Sequence, residues 1–187
     1  MTRQEIHISG TTDADPAAVW HLLVDSSTWP AWTPIETFEL ERPAGQGGAG
    51  EIRRFTTGRL RLREEVIEAR APTRLTYRLL SGLGVRNYQA QVDLVRRDSP
   101  DPVRTDIHWR TTFSAKVPGL GGLYRRVIEK ATQQFVDGLV AHSMAQQDAA
   151  DVRTIRPFTS SQLEVLGCGT QGQQPADLEH PEDQEQS

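Results

Sequence analysis

Glu64 lies in a segment whose alternate residues are leucine and valine, and it is the residue of this sequence best placed to bind a polar group or transfer a proton. Alternate residues of a strand face opposite sides, so the arginines of the segment from Arg59 to Val66 share one face with Glu65. The other face carries Leu60, Leu62, Glu64 and Val66. A carboxylate on an apolar face must be paired with a cation, be hydrated or have a raised pKa.

The preceding segment offers a cation for this carboxylate. With a hairpin turn at Thr57-Gly58, a two-residue loop places Arg53 opposite Leu62, and a three-residue loop places Arg54 there. Each arrangement puts an arginine diagonal to Glu64. The pair then has three interpretations: an internal or rim ion pair of the fold, a pair that orients a ligand, or a general acid or base at Glu64.

Aromatic and polar side chains on other elements are candidates for lining the same space. Tyr77, Tyr88 and Trp109 fall on the apolar parity of their strands and combine apolar area with a polar tip. Phe135 and His142 lie on the apolar stripe of a long helix. The predicted ligand-binding residues are therefore Leu62, Glu64, Tyr77, Tyr88, Trp109, Phe135 and His142, although an ordinary filled core uses the same residue types.

Other kinds of site have little support. No pair of histidines has metal-ligand spacing, and there is no Cys-x-x-Cys pattern, so we expect no metal. The glycine-rich segments 45–50 and 119–122 do not match a nucleotide-binding fingerprint, so we expect no cofactor. The single cysteine, Cys168, lies in a polar tail and is interpreted as an incidental thiol.

The elements that must position these side chains follow from periodicity and turn residues. Asp15-Pro16 predicts a helix start, because the aspartate can cap free N–H groups and proline fits the first helical position. The predicted strands span 5–12, 35–41, 51–56, 59–69, 74–81, 87–96 and 104–114, and a long helix spans 123–149. Two short helices and a tryptophan corner, Trp29-Pro30-Ala31-Trp32, follow the first strand.

Composition separates a domain from a tail. The chain has 187 residues, and we predict one domain over 1–150 and a disordered acidic tail over 151–187. The tail has seven acids and two arginines, so the overall charge of −4 leaves only +1 on the domain. A net charge this small provides no field that would steer the domain to nucleic acid or acidic membranes. With no secretory signal and no long apolar run, we expect a cytoplasmic location and no membrane insertion, and the oligomeric state is open.

Residues 3–148 resemble the SRPBCC superfamily of START and Bet v 1-like proteins, and within it the polyketide cyclase/dehydratase-like branch. The matching features are Asp15-Pro16-Ala17-Ala18-Val19-Trp20, Asp25, Trp29-Pro30-Ala31-Trp32, Glu65-Val66, Pro72, Leu75-Thr76-Tyr77 and the segment from Thr105 to Trp109. The resemblance implies an α+β helix-grip fold, in which a curved seven-stranded antiparallel sheet (β-α-α-β6-α) wraps around a long C-terminal helix, leaving a cavity between them. It implies no shared catalytic motif.

Three functions are compatible with this resemblance. The leading hypothesis is binding of a small hydrophobic ligand, such as a lipid, polyketide or aromatic compound, between sheet and helix. The second is a polyketide cyclase/dehydratase-like enzyme in which Glu64 moves protons. The third is a protein-interaction or chaperone-cofactor-like module that docks through its acidic tail.

Overall fold

Seven antiparallel strands form a single curved sheet in the computed structural model, which describes residues 2–97 and 104–154. The strands are β1 (Arg3–Thr12), β2 (Thr37–Arg42), β3 (Ile52–Thr57), β4 (Leu60–Arg70), β5 (Arg74–Ser81), β6 (Val85–Arg97) and β7 (Arg104–Ala115). The helices are α1 (Pro16–Val24), α2 (Trp29–Trp32) and α3 (Gly121–Thr154), with 3-10 turns at Ser26–Thr28 and Gln46–Gly48.

The strands are arranged in the order β1-β7-β6-β5-β4-β3-β2. The chain therefore forms a meander from β2 to β7, and β1 pairs with the last strand of that meander. This topology, with two short helices after β1 and a long helix at the end, confirms the predicted helix-grip architecture. Two strands start two residues earlier than predicted, β1 at Arg3 and β6 at Val85. In β6 a bulge containing Asn87 at φ 51° interrupts the regular alternation near that start.

The start of α1 forms as the Asp15-Pro16 pair predicts. An Asp15 side-chain oxygen accepts a 2.8 Å hydrogen bond from the Ala17 N–H, and Pro16 takes the first helical position. The tryptophan corner then forms α2, in which Trp29 and Trp32 are buried.

Close backbone contacts fix the position of α3. A Cβ on Gly138 would lie 1.8 Å from the carbonyl oxygen of Trp32, so only glycine permits this approach to α2. A buried hydrogen bond of 2.9 Å joins the Ser143 and Thr12 hydroxyls and links the helix to the end of β1. The helix therefore lies against β1 and α2 along its second half.

The core consists of two apolar clusters between the sheet and the helices. The larger contains Trp29, Trp109 and Leu139, and the smaller contains Phe113 and Ile128. Tyr88 packs against both clusters. None of the helices described has the length and mean hydropathy needed to cross a membrane. The helix α3 continues to Thr154, whereas the rest of the predicted tail, 155–187 with Cys168, lies outside the described residues.

Candidate functional site

Arg53 on β3 lies directly opposite Glu64 on β4. The turn between these strands consists of Gly58 and Arg59, one residue later than predicted, so both expected registers are wrong and Phe55 is the residue opposite Leu62. The turn is centred there because Gly58 adopts a positive φ of 57°, which glycine accommodates at little cost. The diagonal pair expected from the sequence is therefore a direct cross-strand pair.

The Arg53–Glu64 pair is the buried ion pair that the residue pattern predicts. The Nε and Nη2 groups of Arg53 each donate to Glu64 Oε2 at 3.2 Å, and the two side chains are 0% and 7% exposed. Because both bonds end on Oε2, Oε1 has no bond to the guanidinium. One oxygen of the carboxyl group therefore remains free to interact with another group.

A second contact of Arg53 connects the pair to the edge of the domain. Arg53 Nη1 donates to Ser26 Oγ at 2.9 Å, and Ser26 Oγ donates to Glu51 Oε1 at 2.5 Å. Ser26 is buried in the 3-10 turn after α1, whereas Glu51 is half-buried at the start of β3. The guanidinium is thus bonded on two sides.

Three aromatic rings enclose the Arg53 guanidinium. Its Cζ lies 4.4 Å from the ring centroid of Trp29, 4.8 Å from that of Tyr77 and 5.1 Å from that of Phe55. Such contacts favour a cation through the negative faces of the rings, and they strengthen when water is excluded. The three rings therefore stabilise the guanidinium alongside its hydrogen bonds to Glu64 and Ser26.

Burial determines the protonation of the acidic groups beside Arg53. It raises the pKa of Glu64 above its usual value, while the Arg53 charge opposes that rise. Burial also raises the pKa of Tyr77 well above its ordinary value and raises that of Tyr88. Both phenols are therefore neutral near pH 7 and can donate hydrogen bonds.

Two buried polar atoms on β7 make no hydrogen bond of normal length and angle among the described residues, although Trp109 lies close enough to the Tyr77 hydroxyl, and Thr111 to that of Tyr88, to oppose the effect of burial on the pKa of each phenol. They are Trp109 Nε1 and Thr111 Oγ1, and both side chains are fully buried. The Trp109 ring lies 6.5 Å from that of Tyr77 and 5.8 Å from that of Phe135, measured between centroids. An unpartnered buried donor costs free energy, so such atoms require an explanation.

Half-buried apolar side chains on β4 to β6, the turn between β5 and β6, and α3 flank this interior. They pack against one or both core clusters and are Leu62, Leu79, Leu83, Tyr88, Tyr124 and Phe135. We call these six residues the apolar border.

The structure brings most of the predicted site residues together. Tyr77, Trp109 and Phe135 are in ring contact, Glu64 affects the pKa values of both Tyr77 and Tyr88, and Leu62 lies at the apolar border. His142 is elsewhere: it lines a surface groove of about 560 Å³ with Trp32, Pro34 and Gly138. Its helical position puts it beside α2, so the expectation that it faces the interior is wrong.

The predicted site omits three residues that the structure places there, Ser26, Trp29 and Thr111, whereas Arg53 is one of the two arginines that the sequence offers as a partner for Glu64. The sequence places Trp29 in a tryptophan corner without indicating that its ring contacts Arg53. Ser26 carries no sequence signal, because its role depends on a contact with a residue 27 positions along the chain. Arg53 lies two residues before the inward Phe55, and Thr111 lies two residues after the inward Trp109. Residues two apart in a strand face the same side, and this spacing is the sequence signal that places both side chains inside. Among the side chains that the structure describes, in residues 2–97 and 104–149, no three of His, Cys, Asp or Glu form a group able to hold a metal.

Sequence comparison gives one family match. Residues 3–143 match the model of a family described as polyketide cyclase / dehydrase and lipid transport. No curated protein matches the sequence.

Solved structures of low sequence identity share the fold. The Zhui aromatase/cyclase from a Streptomyces species superposes with a TM-score of 0.66 at 18% identity, covering 80% of this chain and 98% of its own. A START superfamily protein from Mycobacterium smegmatis gives a TM-score of 0.66 at 12% identity, covering 76% and 98%. The protein XoxI from Bacillus cereus gives 0.61 at 16% identity, covering 79% and 99%. Identities this low establish the fold alone.

Proposed function

Because the chain belongs to the polyketide cyclase / dehydrase and lipid transport family, we propose that it binds a small hydrophobic molecule carrying a hydrogen-bond acceptor between the sheet and α3. The ligand class is a lipid, a polyketide or an aromatic compound with a carbonyl or hydroxyl oxygen. The observation that supports this most is the pair of unpartnered buried groups, Trp109 Nε1 and Thr111 Oγ1. An acceptor oxygen on the ligand would satisfy the indole N–H.

Access to these groups runs along the apolar border. The aromatic rings of Trp29, Trp109 and Phe135 lie within 6.0 Å of one another and fill the space beside Arg53. Phe135 and Tyr88 are half-buried, so they can change rotamer more readily than the fully buried Trp29. In this proposal the ligand displaces those two side chains and replaces their apolar contacts with its own.

Thermal-shift screening with fatty acids, hydroxylated anthraquinones and flavonoids tests the proposal, because a ligand that binds only the folded state raises the melting temperature. Thr111→Val should weaken a hit about 2- to 13-fold, the value of one neutral hydrogen bond. It should leave the stability of the free protein equal or higher, because the hydroxyl it removes has no partner.

Thr105→Val is the matched control. Thr105 is also fully buried on β7, but its hydroxyl donates a 2.6 Å bond to the carbonyl oxygen of Ala14. The control should therefore lower stability and leave ligand affinity unchanged. If no compound raises the melting temperature, or if both variants weaken binding equally, the proposal is wrong.

Catalysis at Glu64 is the second candidate, and one observation favours it. The carboxyl group combines a raised pKa with an oxygen that Arg53 does not engage. Such a group can take a proton from, or return one to, a carbon or oxygen of a bound polyketone. Glu64→Gln should then abolish cyclisation or dehydration of a poly-β-ketone, while Glu36→Gln on the exposed surface should not. Full turnover by the Glu64 variant would exclude this role.

A further inference from the structure

Four exposed apolar side chains, among them the three most exposed in the described residues, lie where the chain enters α3. Val117, Leu120, Leu123 and Val127 are 52%, 38%, 59% and 56% exposed, within eleven consecutive residues. The other large apolar side chains that are exposed in the described residues are dispersed over β2, β4, β5, β6 and the far half of α3. Single exposed apolar residues are ordinary, but a contiguous group of them marks an interaction surface.

Two cations share the outer side of the helix with this apolar group. Leu123, Arg126, Val127 and Lys130 follow the spacing i, i+3, i+4, i+7, which places them along one side, and all four are exposed. The inner side of the same turns carries Ile128, which is buried with Ile6 and Phe113. We define the docking face as Val117, Leu120, Leu123, Arg126, Val127 and Lys130.

The docking face carries a local positive charge that the net charge of the domain does not reveal. Between residues 116 and 130 there are four cations, Lys116, Arg125, Arg126 and Lys130, and one acid, Glu129. Within the part of the chain that the structure describes, none of the four cations forms an ion pair, whereas the arginines of β3 and β5 do. Their charges are therefore available to an anionic partner.

We propose that the docking face binds peripherally to the surface of an anionic phospholipid bilayer. Exposed apolar residues beside basic ones are the composition of interfacial helices, whose apolar side chains enter the headgroup region while cations contact the phosphates. Tyr124, a member of the apolar border, lies on α3 between Leu123 and Arg126, two residues of the docking face. The proposal is independent of the ligand-binding function, but a bilayer bound here lies beside the route proposed for the ligand.

Co-sedimentation of the full chain with vesicles tests the proposal. We expect binding to phosphatidylcholine vesicles containing about one-third phosphatidylglycerol, and weaker binding as salt is added. Arg126→Gln with Lys130→Gln should lower the partition coefficient about 30-fold, roughly fivefold for each cation. Leu123→Ser with Val127→Ser should lower it at least about tenfold, because less apolar surface is buried.

Matched double variants control for general effects of charge and hydropathy. Arg59→Gln with Arg86→Gln removes two exposed cations that have no ion pair among the described residues, and Leu80→Ser with Val95→Ser removes two exposed apolar side chains from the outer sheet face. Both controls should bind anionic vesicles as the wild type does. Circular dichroism confirms that each variant is folded.

Three results would overturn the proposal. One is the absence of binding to anionic vesicles, and another is equal loss of binding in the docking-face variants and their controls. The third is self-association. If the wild type does not bind vesicles, and light scattering shows an oligomer that Leu123→Ser with Val127→Ser dissociates, the docking face binds a second copy of the chain. None of these results bears on the thermal-shift test of ligand binding.

Discussion

Replacing Arg53 with methionine tests the energetic role of the buried pair. Methionine fills a similar volume but removes the two bonds to Glu64 Oε2, the bond to Ser26 Oγ and the cation above the Trp29 ring. Glu64, at 7% side-chain exposure, is then a buried carboxyl group without a counter-ion. Removing one partner of a buried pair costs about 3–5 kcal/mol, a large part of the stability of a typical domain.

The cost should depend on pH in a defined direction. The Arg53 charge lowers the pKa of Glu64 against the effect of burial, so its removal raises that pKa further above the ordinary 4.5. The folded variant then binds more protons than the unfolded chain between pH 4.5 and the raised value. The contribution of Glu64 to its stability is greatest below pH 4.5 and is lost as the pH rises through that window, so the gap to the wild type widens.

Urea unfolding at several pH values between about 4 and 8 measures this gap, since the free energy of unfolding extrapolates linearly with denaturant. At neutral pH the melting temperature should fall by roughly 6–20 °C, at 2–4 °C for each kcal/mol. Arg110→Met is the matched control, because Arg110 lies on β7 of the same sheet and pairs with exposed Glu5 at 3.6 Å. That surface pair should contribute less than about 1 kcal/mol.

A double variant separates loss of the pair from loss of packing. Glu64→Gln introduced together with Arg53→Met removes the buried charge as well as its partner, so it should recover part of the lost stability at neutral pH. A loss below about 1 kcal/mol for Arg53→Met, or a loss that does not change with pH, would refute the reasoning.

Two further predictions concern the elements that hold the site. Gly138→Ala places a Cβ 1.8 Å from the Trp32 carbonyl oxygen and should lower the free energy of unfolding in urea by about 1–3 kcal/mol. Gly122→Ala, whose Cβ would have no atom within 4 Å, should be neutral or stabilising. Equal effects of the two variants would contradict the close approach of α3 to α2. Asp15→Ala should lower the free energy of unfolding by about 1 kcal/mol, because the helix cap is lost. Asp15→Asn keeps a capping oxygen and should retain most of the wild-type stability. Equal losses in the two variants would assign the effect to the ion pair with Arg96 instead.

The strands and their inward faces could be predicted from local patterns. Residue alternation in β4 places Glu64 inside, and the resemblance supplied the order of strands around it. The hairpin register could not be predicted, because Thr57-Gly58 and Gly58-Arg59 are both acceptable turns and the choice shifts every cross-strand partner. The sequence therefore identifies Arg53 as a possible partner of Glu64, but it does not predict that the two residues lie directly opposite each other.

Contacts between distant segments account for what sequence patterns could not predict. Ser26 reaches Arg53 because the 3-10 turn after α1 lies against β3, and the Trp29 ring at the start of α2 reaches the same guanidinium. The prediction for His142 is wrong for a related reason. Its position in the helical repeat is consistent with an inward side chain, but α2 packs beside this part of α3 and His142 lines the surface groove there. Such contacts depend on packing, which periodicity within one segment does not contain.

The polar groups of the interior divide into two sets with opposite effects on stability. Arg53 and Ser26 have partners, so removing either leaves another buried group unpaired and weakens the fold. Thr111 and the Trp109 indole N–H have none among the described residues, so they cost free energy in the unliganded protein. Stability alone explains the first set and not the second. A ligand acceptor beside Trp109 accounts for the second set, which is why Thr111→Val separates a binding site from a filled core.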